Sequence, residues 1–149
     1  MVRTDVAAFQ NPVLLAARLL LAWIFLHEGV FLLANFGTAS SAVGKIGVPA
    51  FVLGATIVLQ LLAGAAIALG WWTRAGAGAL GLFCLATAML FHTNFSVRNE
   101  LLHFEKDLAM AGGMFVLMLG GAGAWSVDAV LARRASAAVE RQDKAIAEA

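Results

Sequence analysis

Cysteine occurs once in this chain, at Cys84, so no intramolecular disulfide and no CxxC pair can form. Dithiol redox chemistry within the chain is excluded on that ground. There is no CxxCH for covalent haem, no cysteine set for an iron–sulfur cluster and no nucleotide-binding glycine loop. The chain alone is therefore not a complete electron-transfer system. Charge is also sparse: 13% of the residues are Asp, Glu, Lys or Arg, against about 25% in ordinary soluble domains. The net charge of +1 offers no basic surface for nucleic acid. The sequence has no internal repeat, no low-complexity tract and no HxxxH spacing that would fix two metal ligands on one helix face.

What fills the chain instead is apolar sequence. Of its 149 residues, 62% are hydrophobic, and they cluster into four runs, each near the roughly 20 residues needed to span a bilayer. The expected fold is all-α: an integral membrane four-helix bundle, one domain over 1–149, with helices at about 12–34, 49–72, 75–92 and 99–125. Asn11 is suited to cap the first helix, with Pro12 in its first turn and Pro49 opening the second. The fourth helix is extended back to Asn99 because Leu101, Leu102, Phe104 and Leu108 keep a helical spacing. The first run exceeds a signal-peptide core of about 7–15 apolar residues and contains Arg18, His27 and Glu28, so it is read as a retained span. The link Thr73–Arg74 makes the second and third helices antiparallel neighbours. The tail, 129–149, reads as a solvated helix.

Six Lys or Arg residues fall on one side (Arg3, Arg74, Arg133, Arg134, Arg141, Lys144) and three on the other (Lys45, Arg98, Lys106). This asymmetry puts both termini in the cytoplasm, with Trp71, Trp72 and Trp125 as an interfacial belt. The chain is expected to be a multi-pass protein of the bacterial plasma membrane, in contact with the lipid bilayer and with no nucleic acid. Cys84 reads as a small apolar filler. Gly76, Gly78, Gly81, Gly112, Gly113, Gly120, Gly121 and Gly123 read as sites of close helix approach.

Ionisable groups inside a span cost at least about 2.5–3.5 kcal/mol each and usually pair or face the interior. His27 and Glu28 lie roughly 10–12 Å from the outer end of the first helix, and Lys106 and Asp107 lie at a similar depth on the fourth. With His92, His103 and Glu105 they form an expected outer cluster, in which His103 and Asp107 share a helix face at spacing i, i+4. Three readings of this cluster stand open. One is a structural ion-pair network, for example Glu28 with Lys106. Another is a site for a quinone or small redox substrate, whose carbonyls need hydrogen-bond donors beside proton carriers. The last is a metal site using the histidines and carboxylates. In the redox reading His27, Glu28, His103 and Lys106 bind and shuttle protons, and Asp107 orients His103 or Lys106. Arg18, Gln60 and His92 are then the cofactor contacts, with quinone the cofactor. Arg18 otherwise snorkels or pairs, and Asp128 is expected to pair with Arg74 or Arg18.

The chain resembles the DoxX family of small four-helix bacterial inner-membrane proteins. The matching elements run from Arg18 to Ala129. They are Arg18 followed by Phe25–Leu26–His27 and Gly29, Leu69–Gly70 before Thr73–Arg74, and Ala88 with His92. Further along come His103–Phe104–Glu105–Lys106–Asp107–Leu108 leading into Ala111–Gly112–Gly113, then Gly121–Ala122–Gly123 and Ser126–Val127–Asp128–Ala129. Glu28 stands between His and Gly, and Gln60 stands where the family often carries Glu. The resemblance implies a quinone-linked redox role at the membrane, because the family takes its name from subunits of a thiosulfate:quinone oxidoreductase. The alternative is a non-catalytic anchor that holds a protein partner or a second copy through its small-residue faces and charged tail. A small-molecule carrier is disfavoured by the lack of broken helices and of a two-half repeat.

Overall fold

Long apolar stretches with only two prolines favour helix throughout, and the computed structural model contains helices and turns only, among the described residues. It describes residues 2–147, with side chains from Phe9 onward. The side chain of Arg3, counted above, and the last two residues of the tail lie outside the described part.

The elements are α1 (Val2–Ala34), α2 (Phe36–Gly44), α3 (Ala50–Leu69), α4 (Thr73–Phe91), α5 (Arg98–Gly120) and α6 (Val127–Ala147). α1 packs along α3, α3 on α4 and α4 on α5, and a smaller α1–α5 contact closes the ring. Three stretches are long and apolar enough to cross a membrane: Phe9–Ala34, Ala50–Leu69 and Thr73–Phe91. α5 is 23 residues long, but Arg98, Glu100, Glu105, Lys106 and Asp107 crowd its first half and make it less apolar than those three.

The core is built from Ala22, Phe25, Ile67, Ala77, Leu80, Cys84, Ala111, Met114 and Leu117. Cys84 is buried in it, as expected of an apolar filler. Glycines set the close approaches. A Cβ on Gly29 would stand 2.9 Å from Leu61 on α3, and one on Gly81 would stand 2.8 Å from Phe115 on α5. Most of the remaining apolar surface points outward, Leu20, Trp23, Leu62 and Val116 included. A bundle in lipid leaves its perimeter apolar, since the hydrocarbon is as good a solvent as a neighbouring helix.

Several boundaries differ from the sequence expectation, each for a local reason. α1 does not start at Pro12 but runs through it. Asn11 is therefore not a helix cap; its Oδ1 accepts the Ala124 N–H at 3.0 Å. The expected link at Thr73–Arg74 lies one turn earlier, at residues 70–72, where Gly70 takes φ +73° and closes α3. The fourth run ends at Gly120 rather than 125, because Gly121 and Gly123, both at φ +75°, bend the chain away. Residues 36–44, expected as loop, form α2. Gly37, Thr38, Ser40 and Ser41 are weak helix formers, and Asn35 makes no side-chain cap bond, so neither propensity nor capping signals that helix.

Candidate functional site

Two groups of polar side chains lie at opposite ends of the bundle. The first is built where α4 ends and α5 begins. His92 closes α4, and its Nδ1 lies 2.8 Å from Glu100 Oε2 in the first turn of α5. The His92 ring stacks on His103, centroids 5.1 Å apart. His103 Nδ1 in turn lies 3.1 Å from Lys106 Nζ. Glu100, His92, His103 and Lys106 thus form a row of ionisable groups, half-buried at the first three and exposed at Lys106, in which the two histidines meet by ring stacking and not by a hydrogen bond. One turn deeper, Asp107 is buried and its Oδ2 accepts from the Thr87 hydroxyl at 3.0 Å. The same hydroxyl lies 2.9 Å from the Cys84 carbonyl and 3.1 Å from that of Phe83. With one proton to give, Thr87 serves one of these acceptors at a time.

The structure separates residues that depth alone grouped together. His27 and Glu28 share the depth of Lys106 but face outward from α1. His27 stacks on the exposed Trp23, centroids 6.0 Å apart. Glu28 forms no salt bridge among the described residues, so the expected Glu28–Lys106 pair is replaced by Lys106–His103 and His92–Glu100. The reason is angular. Arg18, Ala22 and Phe25 define the buried stripe of α1, and Gly29 continues it, which leaves positions 27 and 28 off that face. Asp107 does not orient His103 or Lys106, because its carboxylate is turned into the α4 interface. Gln60 is buried beside Gly29, and its Oε1 has no hydrogen-bond partner. Glu100 was missed by the sequence reading. Its signal was its place three residues before His103, on the same helix face. Among the described residues no three His, Cys, Asp or Glu side chains come together in a way that would hold a metal ion.

The second group sits where α6 leaves the bundle. Arg18 is 1% exposed, so it does not snorkel. Its Nη2 donates to the Trp125 carbonyl at 2.7 Å, while Nε and Nη1 have no partner. The guanidinium fits under Gly70, where an added Cβ would collide with Nη1 and fall 2.5 Å from Ser126 Cβ. Asp128 pairs with neither Arg74 nor Arg18. Its Oδ1 accepts the Trp72 N–H at 3.0 Å, its Oδ2 accepts that of Thr73 at 3.3 Å, and its own N–H donates to the Gly70 carbonyl at 2.9 Å. These bonds hold a turn in which Trp72 itself is left-handed, at φ +49°. Such strain persists only where the surroundings over-determine it. Carboxylate oxygens placed against the first N–H groups of α4 also favour the positive end of that helix. Arg18, Gly70, Thr73, Gly121, Gly123, Ser126 and Asp128 thus lock α1, α3, α4 and α6 together.

The chain matches the DoxX family over residues 13–93. It is 35% identical over 120 residues to the inner membrane protein YqjF of Escherichia coli strain K12, covering 80% of this chain and 92% of that protein. It is 30% identical over 131 residues to the inner membrane protein YphA of the same organism, covering 83% of this chain and 94% of that protein. No solved structure matches the chain. The apolar helices and these relatives place the protein in the inner membrane as a multi-pass protein.

Proposed function

The chain belongs to the DoxX family, and from that premise we propose that it is a membrane subunit that binds a quinone-type head group at the junction of α4 and α5 and exchanges protons with it there. The observation that carries this reading is the chain Glu100–His92–His103–Lys106, with contacts of 2.8 Å, 5.1 Å between stacked rings, and 3.1 Å. A quinone carbonyl needs a donor and, on reduction, a proton. Histidine and lysine supply donors, and histidine changes charge near neutral pH. Reduction takes two electrons and two protons. The protons come from the two hydrogen-bonded pairs, Glu100–His92 and His103–Lys106, and the electrons come from a redox group on a partner protein. The Lys and Arg asymmetry supports setting the α6 end in the cytoplasm and the histidines toward the outer face, with α5 as the fourth span.

The test is the quinone content of the protein extracted in native lipid discs, wild type against His103→Phe. The account expects about one quinone per wild-type chain and only the bulk-lipid level in the variant. Equal content in both would overturn it. A scaffold that holds a soluble partner is favoured by one observation: no residue of α6 is buried. That reading predicts partner capture that survives His103→Phe and is lost on removal of residues 136–147.

A further inference from the structure

The groove at the root of α6 has a chemistry that neither the histidine site nor the helix lock uses. A cleft of about 530 Å³ runs between the C-terminus of α3 and the first turns of α6, lined by Leu69, Trp125, Val130, Leu131, Arg133 and Arg134 among others. Its floor is apolar and exposed: Leu69 is 61% and Trp125 57% accessible. Arg133 and Arg134 are its charged lining residues. On α6 the side chains of Val127, Leu131, Ala135 and Ala138 follow one stripe, and Arg134 and Arg141, one heptad apart, follow its edge. Arg133 and Lys144 lie one strip further round, beside Glu140, whose Oε1 lies 2.8 Å from Lys144 Nζ, and Asp143 falls on the far flank. Arg133 and Arg134, which form no salt bridge among the described residues, are the cations that line the cleft. The cleft is continuous with the apolar perimeter of the bundle through Leu69, at the end of a span.

We propose that this groove is a binding site for an anionic phospholipid. The acyl chain lies along Leu69, Trp125, Val130 and Leu131, and the phosphate is held by Arg133 and Arg134. Arginine suits this role because its planar fork presents paired donors to phosphate oxygens. Asp128 fixes the groove: its bonds to Trp72, Thr73 and Gly70 hold the start of α6 at a set angle to α3. The helix beyond the groove, from Ala135 on, stays free for a protein partner.

The experiment is native mass spectrometry of the full, delipidated chain in detergent, offered phosphatidylglycerol, phosphatidylcholine or inorganic phosphate. Arg133→Gln/Arg134→Gln removes both charges from an exposed surface and leaves the bundle folded, checked by an unchanged Tm in phosphatidylcholine. The expected result is one retained phosphatidylglycerol, preferred over phosphatidylcholine by roughly tenfold or more, as two arginines near a membrane surface imply. That preference disappears in the double variant and is kept in Arg141→Gln/Lys144→Gln. Equal retention of the two lipids, or equal retention in wild type and Arg133→Gln/Arg134→Gln, would overturn the proposal. So would protection by inorganic phosphate with no further effect of phosphatidylglycerol. A lipid-free dimer that Leu131→Glu dissolves would assign the groove to a second copy and overturn it likewise.

Discussion

Arg18 and Glu28 sit on the same apolar helix, and the fold treats them oppositely. Arg18 is sealed beneath Gly70, whereas Glu28 is turned outward with no ionic partner among the described residues. Gly70→Ala therefore meets two costs at once. The new methyl group collides with the guanidinium, an overpacking of about 1–3 kcal/mol, and a left-handed non-glycine residue costs about 1–2 kcal/mol more. The expected outcome is a clear fall in Tm in detergent, partly relieved in Gly70→Ala/Arg18→Ala, which removes the clash with the guanidinium but neither the one with Ser126 nor the backbone term. Additive losses in the double variant would show that the contact is not the cause. Glu28→Gln, by contrast, should leave stability within about 0.5 kcal/mol of wild type, and quinone content should not change. Asp107→Asn replaces a buried carboxylate that has a single partner with a neutral isostere, so Tm is expected to hold or rise. A large fall would mean that the charge itself holds α4 to α5.

At the scale of elements, the two ends of the bundle were unequally legible in the sequence. The long helices follow directly from apolar runs of spanning length, and the solvated tail follows from its composition. The histidine end was half legible. Depth placed His27, Glu28, Lys106 and Asp107 at one level, but which of them meet depends on helix rotation, and the rotation is set by packing at Gly29, Gly64 and Gly81. Spacing within one helix, as in Glu100 with His103, survives any rotation and was the better guide. The α6 end was legible only as a set of scattered motifs. Gly70, Thr73, Ser126 and Asp128 gain meaning when the chain reversals at residues 70–72 and 121–126 bring them to Arg18. Asp128 carries the main consequence: Asp128→Ala removes the carboxylate from the first N–H groups of α4 and should cost about 0.5–2 kcal/mol. Asp128→Asn, which keeps one acceptor oxygen, should cost less. Thermal unfolding followed by circular dichroism separates the two, and equal losses would contradict the capping role.

For the whole molecule, the helix lock occupies the α6 end and the histidine cluster the other. The bundle is tied shut where its termini leave it, which lets α4 and α5 present polar groups at the far end without carrying the fold. α6 contributes no buried residue, so removing residues 136–147 should leave Tm unchanged; a drop of several degrees would show that the tail folds back on the bundle. Mixed burial of this kind explains why an all-round apolar sequence identifies a membrane protein readily and its working surface poorly. Hydrophobicity reports burial in lipid and burial in protein alike, and only the residue contacts tell them apart. The most direct measurement is photolabelling with an azido-quinone in native lipid discs, followed by peptide mapping of the adduct. The account predicts labelling between His92 and Lys106, competed by unlabelled quinone and lost in His103→Phe. Labelling on α1 around His27 and Glu28, or labelling that excess quinone does not reduce, would contradict it.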